Sequence, residues 1–276
     1  MSKIPAAKSA DMEDFTMKKA KKMALQAMVC AAFAAAMVLA GCDDGGVGSD
    51  IIEVSGYNAT INCKNDTTGD FYRDLQTLKN THSNFITEVK IDNTKAAGTS
   101  VMGCVFGEKE KDGKRSFYLV GVQVKENKPR YYISYFEDVT EEQITANGTS
   151  FGTEYGWDKT TSSWVKGKGT SVFAEFAATD IYNSDTAKLD LCVGVRYNED
   201  TKEFDVGIFK PADVANVTDA ANLPTTRAVA GATIGTYPGS EPKNYIGYYV
   251  NINKGCTLTG SWTNKYHLNA EVAEAE

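Results

Sequence analysis

Beyond residue 51 the apolar residues recur at every second position, in runs separated by Gly, Asn, Asp and Lys. That spacing belongs to strands, not helices. In Phe117–Val124, Tyr118, Val120, Val122 and Val124 share one face, and Phe117, Leu119, Gly121 and Gln123 share the other. The run Arg130–Phe136 follows across the polar turn 125–129, so the two are expected to pair as a hairpin. Leu189–Tyr197 alternates in the same way and meets Phe204, Val206 and Ile208 across the turn 198–202, which predicts a second hairpin. Near the end, Ile246, Tyr248, Val250 and Ile252 oppose Tyr245, Gly247, Tyr249 and Asn251, and Cys256–Tyr266 reads as a further strand holding Trp262. Helical spacing appears only at Asp70–Leu78, where Phe71, Leu75 and Leu78 could share a face, and at Ala212–Ala221. No internal repeat is visible. The pattern predicts an all-β, antiparallel fold with at most one or two short helices.

The first 41 residues follow a different rule. Lys18, Lys19, Lys21 and Lys22 precede the almost uncharged run Met23–Leu39, which ends in Leu39-Ala40-Gly41-Cys42. Small residues before a thiol are what lipoprotein processing needs, and the order of Lys cluster, apolar run and Leu-Ala-Gly-Cys resembles the bacterial lipoprotein signal family. The resemblance implies cleavage before Cys42, acylation of that cysteine and attachment to a cell-envelope membrane, facing the periplasm or the cell exterior. Three acyl chains hold firmly where one holds weakly. The alternative is an uncleaved anchor, for which a run of 17 residues is short against the roughly 20 needed to span. Asp11, Glu13 and Asp14 are unusual ahead of a signal, which makes Met17 a candidate start. The expected organisation is a signal over 1–41, lipidated Cys42 with a Gly- and Asp-rich tether to residue 50, one domain over 51–268, and an acidic tail at 269–276.

Processing removes six of the 29 Lys/Arg and three of the 36 Asp/Glu, which leaves a net charge of about −10. No basic stripe remains to follow phosphates, so nucleic acid is not an expected partner. An exported chain can form disulfides. Cys63, Cys104, Cys192 and Cys256 allow three pairings, with buried free thiols as the alternative, because each lies in an apolar run.

Several short segments resemble the concanavalin A-like, laminin G-like jelly roll. Phe85–Ile91 is similar to its opening edge strand, and Gly103-Cys104-Val105-Phe106-Gly107 to a following one. Phe117–Val122 and Tyr131–Ser134 resemble the next two, with Trp157 and Trp164 in the ensuing loop region. Ile246–Val250 and Thr257–Trp262 resemble the closing pair, and Pro211–Ala232 stands apart as an insertion. The resemblance implies an antiparallel two-sheet β-sandwich whose sheet face or rim loops bind carbohydrate or protein.

The chemistry legible in the chain is sparse. Glycosidases of this fold place alternate carboxylates on one strand, whereas Glu203-Phe204-Asp205 continues without a third acid. His82 and His267 are the only histidines, too few for most catalytic triads. The domain is therefore expected not to be an enzyme. No cofactor is expected. Asp66 and Asp70 lie in an oxygen-rich turn that offers a weak calcium candidate, although a solvated turn leading to a helix N-cap at Asp70 is the favoured reading. Fourteen Tyr and three Trp supply rings that could stack on sugars, and the candidates are Trp157, Trp164, Tyr155, Tyr131 and Tyr249. The expected function is a membrane-anchored binding module for carbohydrate or for a host or envelope protein. A structural or antigenic envelope lipoprotein is the first alternative and a glycan-active enzyme the second.

Overall fold

The computed structural model describes residues 51–66, 71–78, 81–95, 100–125, 128–145, 151–167, 172–175, 181–183, 188–219, 222–224, 228–238 and 246–269. The chain divides into two units, Met1–Ala40 and Gly41–Glu276, and every described residue belongs to the second. Residues 1–50, over which a signal, lipidated Cys42 and a tether are expected, lie outside the described residues.

The strands are β1 (Ile52–Ser55), β2 (Asn58–Lys64), β3 (Phe71–Leu78), β4 (Thr81–Lys95), β5 (Ser100–Lys111), β6 (Lys114–Lys125), β7 (Lys128–Thr140), β8 (Thr153–Asp158), β9 (Ser163–Lys166), β10 (Val172–Glu175), β11 (Tyr182–Asn183), β12 (Lys188–Asn198), β13 (Glu203–Phe209), β14 (Val229–Gly235), β15 (Ile246–Asn253) and β16 (Thr257–Asn269). The described residues also contain a helix, α1 (Glu141–Thr145), and a 3-10 turn at Pro211–Val214. One sheet runs β1-β2-β16-β4-β12-β13-β14, with β11 beside β12. The other runs β3-β15-β5-β6-β7-β8-β9, with β10 beside β7. Neighbouring strands within each sheet are antiparallel. This is the two-sheet sandwich that the alternation and the jelly-roll resemblance implied.

The main core lies between the sheets. Met102, Cys104, Phe106, Tyr118, Val120 and Ile133 from the second sheet meet Val89, Ile91, Leu191, Val193, Phe204 and Trp262 from the first. Trp262 bridges them directly: its Nε1 donates to the Gly103 carbonyl at 3.1 Å, which satisfies the one polar atom of a fully buried ring. Gly260 permits this closeness, because a Cβ there would stand 2.3 Å from the Lys90 carbonyl and 2.6 Å from the Met102 sulfur.

The outer faces are partly covered as well. On the second sheet, Val105, Phe117, Leu119 and Phe136 pack under Ile144 of α1 and under Phe151. Hence β5 is buried on both sides from Ser100 to Glu108 instead of alternating. On the first sheet, Ile86, Cys192 and Phe209 are covered by Val214 of the 3-10 turn and by Val217 and Leu223. The buried carboxylate of Asp74 fastens the start of the domain, its Oδ2 accepting from the Ile51 and Ile52 amides at 2.8 Å each.

Both anticipated hairpins form, with Val120 opposite Ile133 and Val195 opposite Val206. Four expectations need correction. Residues 71–78 form a strand, because eight consecutive pairings to β15 outweigh a weak helical spacing. Of the helix expected over 212–221, the described residues up to 219 form only the 3-10 turn Pro211–Val214. Phe85–Ile91 belongs to no edge: β4 lies between β16 and β12. Trp157 and Trp164 are not in a loop but directly opposite each other in the β8–β9 hairpin. The disulfide expectation changes too. Cys104, Cys192 and Cys256 are free and buried, while Cys63 is disulfide-bonded and has none of those three as partner.

Candidate functional site

Alternation along β7 sends Tyr131, Ile133 and Tyr135 into the core and Tyr132, Ser134 and Phe136 to the outer face of the second sheet. Register then sets one row of residues side by side across the sheet: Leu75, Tyr249, Gly103, Gly121 and Tyr132. Side chains close over both glycines: a Cβ at Gly103 would fall 2.5 Å from Leu119 Cδ1. The Tyr132 ring lies over Gly121, where a Cβ would fall 2.5 Å from its Cζ and 2.8 Å from its hydroxyl. Tyr132 is half-buried as a residue, and its ring is fixed from below by the Gly121 backbone.

The next row on the same face is polar. Arg73 is opposite Asn251, Asn251 is opposite Val101, and Gln123 is opposite Arg130. The Arg73 guanidinium sits over the rings of Phe71 and Phe151 at 4.9 and 4.8 Å, a geometry that holds a cation in an apolar setting. Gln123 is 5% exposed, and its Oε1, like the Oδ1 of Asn251, is buried with no hydrogen-bond partner. Toward β8, Glu154 is half-buried and its Oε1 accepts from the Ser134 hydroxyl at 2.9 Å.

Burial raises the Tyr132 hydroxyl well above the usual tyrosine range, helped by nearby Tyr249 and Glu154 and opposed by Arg73. Burial pushes Tyr249 up to about 12 against the pull of Arg73 and Asn251. Both phenols are therefore protonated at neutral pH. The face combines an aromatic ring seated on Gly121, two buried amide oxygens with no donor among the described residues, and a carboxylate. A polyol fits that chemistry, because its hydroxyls donate to the amides and its C–H face packs on the ring.

Of the aromatics singled out in the sequence, three come together at a different place. Trp157 and Trp164 meet edge to face at 5.3 Å, and Tyr155 lies 4.7 Å from Tyr237, which stacks on Tyr135 at 4.5 Å. Trp164 Nε1 donates to the Gly235 carbonyl at 2.8 Å, and the Tyr155 hydroxyl donates to Glu137 at 2.9 Å. The cluster closes one end of the core: Trp157 is 7% exposed, and Tyr155 and Trp164 are half-buried. Tyr131 faces the core, and Tyr249 faces the opposite, outer side; both are almost fully buried. As they stand, Trp157, Tyr131 and Tyr249 have no open ring face to offer a sugar.

The residues of the polar row and Tyr132 were not singled out from the sequence. The available signal was the second face of Phe117–Val124, where Phe117 and Leu119 give way to Gly121 and then Gln123, together with the Tyr249–Asn251 step in the penultimate strand. Gly148-Thr149-Ser150-Phe151-Gly152 also has the spacing of a hydrolase nucleophile elbow. It follows α1 and leads into β8, the reverse of the strand-to-helix turn that motif requires, and residues 148–150 lie outside the described ones.

On the far side of the sandwich a charge network occupies the outer face of the first sheet. Glu88 is 8% exposed at its side chain and contacts Lys265 at 2.6 Å and Lys90 at 2.9 Å, and Lys90 also lies 3.6 Å from Asp190. Burial alone would raise the Glu88 carboxyl, but the hydrogen bonds and charges of the two lysines outweigh it and hold it below the usual range. Asp190 is raised, by burial first and then by the Glu88 charge. Each carboxylate here is engaged with a lysine. Asp66 is exposed and pairs with Lys64 at 2.9 Å, and Asp70 lies outside the described residues. Among the described residues no three His, Cys, Asp or Glu side chains gather as a metal site would need.

No family model and no curated protein sequence matches the chain. Among solved structures it is similar to the kappa-carrageenase from Pseudoalteromonas carrageenovora in complex with an oligotetrasaccharide of kappa-carrageenan, at 9% identity and a TM-score of 0.36, over 80% of this chain and 87% of that one. A likeness at that level carries neither ligand nor reaction across. The expectation that the domain is not an enzyme stands corrected by this finding, since the similar protein is a carrageenase.

Proposed function

We propose that this protein handles glycan on the outer face of its second sheet and is held at the cell envelope by a lipid on Cys42. The observation that carries the first part is Gln123, an amide buried to 5% exposure with its carbonyl oxygen unpartnered. Left unmade, such a bond costs about 1–3 kcal/mol, a cost that a ligand's donor removes once the Gln123 side chain swings out of its buried position. Tyr132 on Gly121 supplies the apolar surface beside it, and Asn251 a second acceptor. Glu154, half-buried on the same face with its Oε1 accepting from Ser134 at 2.9 Å, is the carboxylate we assign to proton transfer in any reaction of the bound sugar.

The test is a screen of the full chain on arrayed polysaccharides, read both for retention and for new reducing or unsaturated ends. Tyr132→Ala and Gln123→Met should each lose retention, while Glu154→Gln should retain glycan and yield no product. Retention that survives both of the first two changes would place the ligand elsewhere. The anchor is checked separately by labelling with a palmitate analogue, which should mark the wild type and not Cys42→Ser.

A further inference from the structure

Two large hydrophobic side chains stay exposed among the described residues, Val54 at 43% and Tyr57 at 42%, and they belong to the same hairpin. Ser55 pairs with Asn58, so β1 and β2 are joined by Gly56 and Tyr57 alone. Gly56 takes a φ of +62°, which such a tight turn requires. The tip is rigidly held: the Tyr248 hydroxyl donates to the Tyr57 carbonyl at 2.6 Å, and Asn58 Oδ1 accepts from the Asn264 amide at 2.9 Å. The Tyr57 ring lies 4.1 Å from His267. Alternation puts Glu53 and Ser55 on the other face of β1 from Val54, so the apolar pair is not interrupted by the nearest charge.

What gives this patch meaning is its position in the chain. Only eight residues, Asp43–Asp50, separate Cys42 from Ile51, a reach of at most about 28 Å when fully extended. β1 carries the chain about 13 Å further to the tip. A hairpin this near a lipidated residue is confined to the neighbourhood of the bilayer, where even a small apolar contact is favoured by its high effective concentration. A tyrosine with an aliphatic neighbour suits the headgroup boundary, where the ring is buried and the hydroxyl stays wet.

We propose that the Val54–Tyr57 tip is a membrane-contact surface that seats on the lipid headgroup layer and sets the orientation of the tethered domain. The inference rests on the lipid-anchor reading of Cys42. The test uses the full chain, purified with its lipid and reconstituted into phosphatidylethanolamine and phosphatidylglycerol vesicles, with Tyr57→Trp as a reporter and the wild-type emission subtracted. The reporter's emission should shift to the blue on reconstitution and be lost when the vesicles carry brominated acyl chains. Val54→Lys in the same background should abolish both effects while the protein still floats with the vesicles. Co-flotation with unshifted, unquenched emission overturns the contact and leaves the anchor standing. Failure to float overturns both.

Discussion

Replacing Gln123 by methionine keeps the length of the side chain and removes its polar end. In the free protein the Gln123 carbonyl oxygen is buried and without a donor, a situation that costs about 1–3 kcal/mol. Against this stands the amide nitrogen, whose hydrogen bond is worth about 1 kcal/mol if it is made. Buried unbranched side chains of similar volume exchange with little strain. The net expectation is a gain of about 1 kcal/mol, or about 2–4 °C in melting temperature for a domain of this size, together with loss of glycan retention. Thermal unfolding followed by circular dichroism, paired with the polysaccharide screen, reads both quantities on one preparation. A variant that gains stability and loses ligand is the signature of a residue kept for binding at the expense of the fold. A fall of 1 kcal/mol or more would show that the amide is a structural member of the sheet face and would refute the reasoning that places a ligand there.

Gly121→Ala should cost about 1–3 kcal/mol as an overpacked site, because its Cβ would collide with the Tyr132 ring, and should weaken glycan retention further than its stability loss explains; equal retention would detach that ring from the site. Trp157→Ala should cost about 3–5 kcal/mol, the range for a buried aromatic, as urea unfolding would show; a loss under about 1 kcal/mol would mean the indole is a surface group after all. The Glu88 carboxyl, held below its usual range by Lys265 and Lys90, contributes stability above the unfolded carboxyl pKa of about 4.3 that disappears as pH falls through the lower folded value. Lys265→Met should therefore lower the melting temperature at neutral pH and flatten the decline below about pH 4. Asp190, shifted the other way, opposes that contribution and regains stability as it protonates, so Asp190→Asn should raise the neutral-pH melting temperature and steepen the acid decline; unchanged acid limbs in both variants would dissociate the network from acid stability.

The sequence by itself determined the all-β class and the two local hairpins Lys114–Thr140 and Lys188–Phe209. Period two in Phe117–Val124 and Leu189–Tyr197, with a short polar turn after each, specifies which side chains share a face and which neighbour the strand must fold back upon. The proposed lipid-anchor reading of Leu39-Ala40-Gly41-Cys42 also rests on sequence alone, because its chemistry would reside in contiguous residues. What the sequence could not specify was which sheet each strand joins. β15 and β16 are adjacent in the chain yet lie in different sheets, and β4, which reads as an edge strand, is central. Alternation reports burial on one side and carries no information about a partner many residues away. The helical spacing of Phe71, Leu75 and Leu78 gave way to β15 for the same reason. The candidate site was beyond the sequence on similar grounds. Arg73, Gln123, Tyr132, Glu154 and Asn251 come from five different strands, and only the register that sets Gly103 beside Gly121 makes them one face. Trp157 and Trp164, conspicuous as letters, were taken into the core because the hairpin between β8 and β9 turns both rings toward Tyr118 and Gly235.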